Sequence, residues 1–199
     1  MTVPHHTLDA ACRGDRDAVA LLYRTYVQQI YRYIVYRVDT NEDAEDLTAE
    51  VFVKMVEGLG GYKRTGAPFE AWLYRIAAAR VIDYRRRKAR RPVTELTETY
   101  SDDQDSPEES LEQAQEVDLL RRAIHTLNDE QQTVLVLRFI ERKSHHEVAD
   151  IINKSVSAVK SIQHRALQQI ASVLGSAKMR HYLRSEEHTS ELQSLTNIV

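Results

Sequence analysis

The chain has 199 residues, 42% of them hydrophobic, and a formal charge of −3, enough for one domain or two small ones with modest cores. A single cysteine, Cys12, excludes an internal disulfide framework and fits a reducing compartment. No apolar run approaches the ~20 residues a membrane-spanning helix needs, and the N-terminus lacks the basic-then-apolar order of a secretory signal, so a soluble, cytoplasmic protein without membrane insertion is expected.

Few glycines, few prolines and little β-branched alternation point to an all-α fold. From Asp17 to Arg37 the positions Val19, Leu22, Tyr23, Tyr26, Ile30, Tyr33 and Ile34 recur at three- and four-residue steps, which predicts an amphipathic helix. A second helix is predicted from Thr40, whose spacing to Asp43 resembles a capping box, with Ala44, Leu47, Val51 and Met55 as the buried stripe. Gly58, Gly60 and Gly61 end it. The loop from Gly61 to Pro68 is glycine-rich and basic, and Pro68 leads into a third helix with Leu73, Ile76, Ala77, Val81 and Tyr84 inside. Together these helices predict an N-terminal domain over 1–91.

From Trp72 to Arg91 eight Arg or Lys face one Asp, a local charge of +7, and between Pro92 and Asp118 there are ten Asp or Glu and no Lys or Arg. That reversal separates a surface built for nucleic acid from an acidic flexible linker over 92–115, whose composition cannot offset the entropy of ordering. A second helical domain is predicted over 116–178. Val117, Leu120, Ile124 and Leu127 make its first helix, and Asn128 with Gln131 caps the next, which carries Val134, Leu135, Leu137 and Phe139. Ser144 and Glu147 then cap a short helix, Asn153 suits a left-handed turn, and Ser155 caps a last helix with Val159, Ala166, Leu167 and Ile170 inside. Helix, short turn and helix is the geometry that seats a recognition helix in the major groove.

Four patches, in order, resemble a bacterial RNA polymerase sigma factor of the extracytoplasmic-function group of the sigma-70 family. They are Asp43–Leu47 with Glu50 and Phe52; Phe69, Trp72 and Leu73 to Ala77; Asp83-Tyr84 with Arg86-Arg87; and Ser144 to Ala166. The resemblance implies that Asp43, Asp46, Leu47, Glu50 and Phe52 bind core RNA polymerase, with Leu47 or Phe52 shared between docking and core. It implies that Tyr62, Lys63, Arg64, Trp72, Arg75, Arg80, Arg86 and Arg87 open promoter DNA at the minus-ten element, Trp72 being a candidate for packing as well as for stacking on a base. For the minus-thirty-five element it implies Ser157, Ala158, Lys160, Ser161 and His164 near base edges, with Lys154 and Arg165 on phosphate. The acidic linker would thread the polymerase's RNA path. An anti-sigma factor is a further expected partner. Ala79, Asn153 and Ile162 depart from the family's usual residues.

No nucleophile elbow, phosphate loop or paired carboxylates are present, so no catalysis, metal or cofactor is expected. Two rival readings remain: an operator-binding helix-turn-helix regulator that needs no polymerase, and a metal-dependent nucleic-acid enzyme using His145, His146, Glu147 and Asp150. Finally, Arg184 to Ser194 reads RSEEHTSELQS, the translation of a common sequencing-library adapter, so 184–199 is expected to be an artefact tail, with the natural C-terminus missing.

Overall fold

A computed structural model describes residues 3–63, 67–90 and 120–174. Arg64, the predicted linker over 92–115 and the tail over 184–199 lie outside the described residues. Seven helices are labelled here: α1 (His5–Cys12), α2 (Arg16–Val35), α3 (Asn41–Leu59), α4 (Phe69–Arg90), α5 (Asp129–Leu135), α6 (His145–Ile152) and α7 (Val156–Leu174). Residues 120–125 are also helical, and α5 runs into a π-helical turn, Val136–Ile140. Among the described residues there is no strand.

The helix starts are set by local chemistry. Asp15 accepts from the Ala18 amide at α2, and Thr40 accepts from the Asp43 amide at α3. Asn128 with Gln131, and Ser144 with Glu147, form complete capping boxes at α5 and α6. Asn153 ends α6 at φ 54°, a left-handed position asparagine tolerates without the strain a branched side chain would meet. The Ser155 hydroxyl accepts from Ala158 at the start of α7. The short helix α1, which the periodicity did not reveal, packs Leu8 and Ala11 against α2.

Burial of one apolar stripe per helix builds the core. Leu22, Ile30 and Ile34 of α2, Val51 and Met55 of α3, and Leu73, Ala77 and Val81 of α4 are all buried. Each large side chain there stabilises the fold by about 1.5–3 kcal/mol. The same apolar cluster continues into Val134, Leu137, Val148 and Val159, so the helix-turn-helix packs directly on the N-terminal helices, with α6 lying on α4.

Candidate nucleic-acid interface

The basic end of α4 is partly engaged and partly free. Arg80 pairs with Asp83 at 2.7 Å, Arg85 with Asp129, and Lys88 with Asp39. Arg86 and Arg87 are exposed and make no ion pair among the described residues. Arg75 donates Nε to the Ile151 carbonyl at 2.9 Å and Nη2 to the Asp150 carbonyl. Between Lys88 and α3 lies a compact network, in which the Tyr84 hydroxyl donates to Asp43 Oδ2 at 2.7 Å and contacts Asp39 Oδ2 at 3.2 Å. Burial, reinforced by the Asp43 hydrogen bond, pushes the Tyr84 hydroxyl well up from its ordinary value. Burial also opposes the charge on Asp39, but Lys88, His125 and Tyr84 outweigh it and hold the carboxyl below its ordinary range.

At the other end of α4 three rings meet. Tyr62, Phe69 and Trp72 have centroids 5.0–5.4 Å apart, so Trp72 is half-buried packing, with Tyr62 beside it at the edge of the basic loop. Gly58 is required beneath them: a Cβ there would lie 2.9 Å from Trp72 Cζ2. Lys63 next to Tyr62 is exposed.

Between them, α2 and α3 form an open groove of about 740 Å³ lined by Tyr23, Val27, Tyr31, Ala49, Phe52, Val53 and Val56, with Glu45 and Glu57 on its rim. Val53 and Val56 are 56% and 51% exposed, although they lie on a regular helix with a complete core behind it. Apolar exposure of that kind, rimmed by charge, marks an interaction surface. The five residues expected to meet polymerase divide around it. Asp46 is exposed and Glu50 half-exposed, Phe52 forms the groove floor against Tyr23 at 4.8 Å, and Leu47 is core. Asp43 is engaged by Tyr84 and Thr40. The stronger signals, Val53 and Val56, were missed because the sequence reading followed the buried stripe of Ala44, Leu47, Val51 and Met55, and both valines lie off that stripe, Val53 about 200° around the helix from Val51.

On α7, Ser157, Lys160, Ser161, His164 and Arg165 are exposed on one face and Ala158 is half-buried, while Val159, Ile162 and Ala166 face the core. Ile162 is thus committed to packing. Lys154 pairs with Glu130 at 2.9 Å at the turn. His145 bonds Gln163 at 3.0 Å and Glu147 closes its capping box, so neither is directed at a shared ligand. The Ser144 hydrogen bonds outweigh burial and hold Glu147 below its ordinary carboxyl range.

A four-helix body with a basic helix end, packed on a helix-turn-helix with a polar outer face, defines a DNA-reading protein. Residues 22–91 match sigma-70 region 2, and residues 123–172 match sigma-70 region 4. The chain is 36% identical over 173 residues to the ECF RNA polymerase sigma factor BldN of Streptomyces coelicolor, covering 84% of this chain and 64% of that one. It is 35% identical to the RNA polymerase sigma factor YlaC of Bacillus subtilis, covering 76% of this chain and 88% of that one, and 33% identical to SigD of Mycobacterium tuberculosis, covering 89% and 88%. The chain belongs to the sigma-70 family, in its extracytoplasmic-function group, and is a sigma factor of transcription initiation. Its fold is also that of CnrH in complex with the cytosolic domain of CnrY, with TM-score 0.66, 22% identity and coverage of 85% of this chain and 96% of that one. RpoE from Bartonella quintana, in complex with the anti-sigma factor NepR, gives TM-score 0.59 at 17% identity, covering 78% and 95%. Among the described residues no helix is long and apolar enough to cross a membrane.

Proposed function

We propose that this sigma factor docks on core RNA polymerase through the α2/α3 groove, opens the minus-ten element with α4 and the Tyr62 loop, and reads the minus-thirty-five element with α7. The observation that carries the reading is the exposed Val53–Val56 edge beside Asp46 and Glu45, on the same body as the arginine end of α4. Apolar area with an acidic rim suits a basic, helical surface on a protein partner, whereas Arg86 and Arg87 suit phosphate. On α7 the exposed small and polar side chains Ser157, Ser161 and His164 are suited to base edges, with Lys160, Arg165 and Lys154 on the backbone. The division into domains over 1–91 and 116–178 follows these roles. The protein works in the bacterial cytoplasm, catalyses nothing itself, and has an anti-sigma factor as a further partner, as RpoE from Bartonella quintana does.

Residues 1–183 mixed with bacterial core RNA polymerase are expected to co-elute and to initiate selectively from a pool of random promoter fragments. Folded protein that binds an operator but never core polymerase would instead be a helix-turn-helix regulator.

A further inference from the structure

Two irregularities fall side by side just before the helix-turn-helix. α5 runs into the π-helical turn Val136–Ile140, and Arg142, two residues on, stands at φ 53°, a left-handed conformation that strains an arginine. Backbone bonds close the bend, from the Glu141 amide to the Val136 carbonyl at 3.0 Å and from the Lys143 amide to the Leu137 carbonyl at 2.9 Å. Strained backbone persists where its surroundings over-determine it, and it clusters at sites with a task.

The side chain that over-determines this bend is Arg138. Its Nη1 donates to the Lys143 carbonyl, and its Nε donates to Gln163 Oε1 of α7 at 3.2 Å. The same oxygen meets Nε2 of His145, the first residue of α6, at 3.0 Å. An arginine only donates, so the Gln163 atom between the two partners is the oxygen, and His145 presents Nε2–H to it. One half-buried acceptor thus gathers the bend before α6, the start of α6 and the body of α7.

The rest of that helix pair is held differently. Val148, Ala149 and Ile151 of α6 share one apolar cluster with Val159 and Ile162 of α7. Apolar contact brings helices together without direction, whereas a hydrogen bond weakens steeply with angle. Around α7, Gln163 stands between Val159 of the core and Lys160 of the outer face, about 40° from one and 60° from the other at 3.6 residues per turn. A directional tie at that border resists rotation of α7 about its own axis.

We propose that Gln163 is a positioning residue for reading the minus-thirty-five element: accepting from Arg138 and His145, it sets the rotation of α7 against α6 and so decides which base edges Ser157, Ser161 and His164 reach. It touches no base itself. The inference rests on the reading of α7 given above. Contacts to base edges need exact placement, whereas lysine and arginine on long stems follow a phosphate that shifts. Losing the tie therefore costs discrimination more than affinity.

The test uses the full chain bound to bacterial core RNA polymerase. A promoter pool randomised in the upstream element gives the preferred sequence, and binding to preferred and scrambled promoters is then compared. The variants are Gln163→Leu, which removes the acceptor, Gln163→Glu, which keeps it for both donors, and Arg138→Met, which leaves α7 unaltered and decides the question if Gln163→Leu does not fold. Circular dichroism and melting curves check each fold. The ratio of preferred to scrambled binding should fall about tenfold in Gln163→Leu and Arg138→Met, as for loss of one base contact, and stay within about twofold of the parent in Gln163→Glu. Scrambled-promoter binding and co-elution with core should not change. A folded Gln163→Leu with the parent's ratio, an equal loss on both promoters, or a glutamate that fails to restore the ratio would overturn the role of Gln163 and leave the sigma-factor reading standing. A parent indifferent to the upstream element would reject the reading of α7 and this role with it.

Discussion

The Tyr84 hydroxyl on α4 donates to Asp43 at the N-terminus of α3 across 2.7 Å, tying the basic helix to the start of the acidic one. Asp43 also accepts from the Thr40 hydroxyl at 2.8 Å, so its carboxylate is engaged within the protein. Tyr84→Phe is expected to lower stability by about 1 kcal/mol, the net contribution of one such bond. That corresponds to a melting point lower by roughly 2–4 °C for a chain of this size, with helix content unchanged. An unaltered melting curve would show the tether to be idle.

Asp43 and Asp46 should therefore separate in their effects. Asp43→Asn should lower the melting temperature more than it weakens polymerase binding, and the exposed Asp46→Asn should do the reverse. The decisive pair is Val53→Glu and Val56→Glu. Both side chains face water in the free protein, so stability should move by no more than about 0.5 kcal/mol, whereas core polymerase affinity should fall at least ~10-fold if the groove is the docking surface. Equal binding by the folded double variant would remove the groove from the mechanism.

Gly58 offers a reading of the aromatic corner. Alanine there gains about 1 kcal/mol of helix propensity, but its Cβ would meet Trp72 Cζ2 at 2.9 Å and Cη2 at 3.2 Å. The ring is wedged between Tyr62 and Phe69, so it must shift, and the disturbed packing should outweigh the propensity gain. Trp72 is the only tryptophan in the chain, so its fluorescence reports this corner alone. Gly58→Ala should red-shift that emission and lower stability by about 1 kcal/mol; an unshifted spectrum with higher stability would mean the ring has room to yield.

What could be seen in the sequence was local. Thr40, Asn128, Ser144 and Asn153 act within four residues of themselves, so spacing alone located the ends of α3, α5 and α6. The polar face of α7 was legible for the same reason, since one amphipathic period separates Val159 and Ala166 from Lys160 and Ser161, whereas Ile162 read only as a departure from the family's usual residue and is core. Glu141 was not legible. Its partners Arg32 and Tyr74 are 109 and 67 residues away, and a lone glutamate after Phe139-Ile140 has no periodic signature. The partners of Arg75 were not legible for a related reason: an arginine on a basic helix reads as a phosphate ligand, and only the packing of α6 on α4 reveals the Ile151 and Asp150 carbonyls it donates to.

Stability should respond to pH through His125. Its ring is half-buried between the two halves, with Nδ1 3.5 Å from Asp39 and Nε2 without a hydrogen-bond partner among the described residues. Burial, followed by Arg85, Arg121 and Lys88, outweighs the attraction of Asp39 and lowers its pKa from the ordinary value. The folded protein therefore binds fewer protons here than the unfolded chain, so this group's contribution is complete above the ordinary histidine value of ~6.5 and declines as pH falls below it. Stability measured from pH 7.5 down to 5.5 should drop in the parent. Asp39 and Glu147, whose pKa values are lowered, lose their contributions only in the more acidic carboxylate range. His125→Gln should flatten the slope between pH 7.5 and 5.5; an equally steep slope in that variant would assign the dependence to another group.

Arg86 and Arg87 give the sharpest check on promoter opening, since both side chains are exposed and neither is paired among the described residues. Removing them should leave the melting temperature nearly unchanged, because neither guanidinium holds another described part of the protein in place. Deleting a cation that neutralises a phosphate also lowers the salt dependence, by about 0.9 in the slope of log affinity against log salt for a duplex and about 0.7 for a single strand. Arg86→Ala with Arg87→Ala should therefore weaken DNA opening by the polymerase complex and reduce that slope by roughly 1.4–1.8. Core binding, placed at the α2/α3 groove, whose lining includes neither arginine, should be unaffected. Reduced opening with an unchanged salt slope would mean that the two arginines act by orienting α4 and neutralise no phosphate themselves.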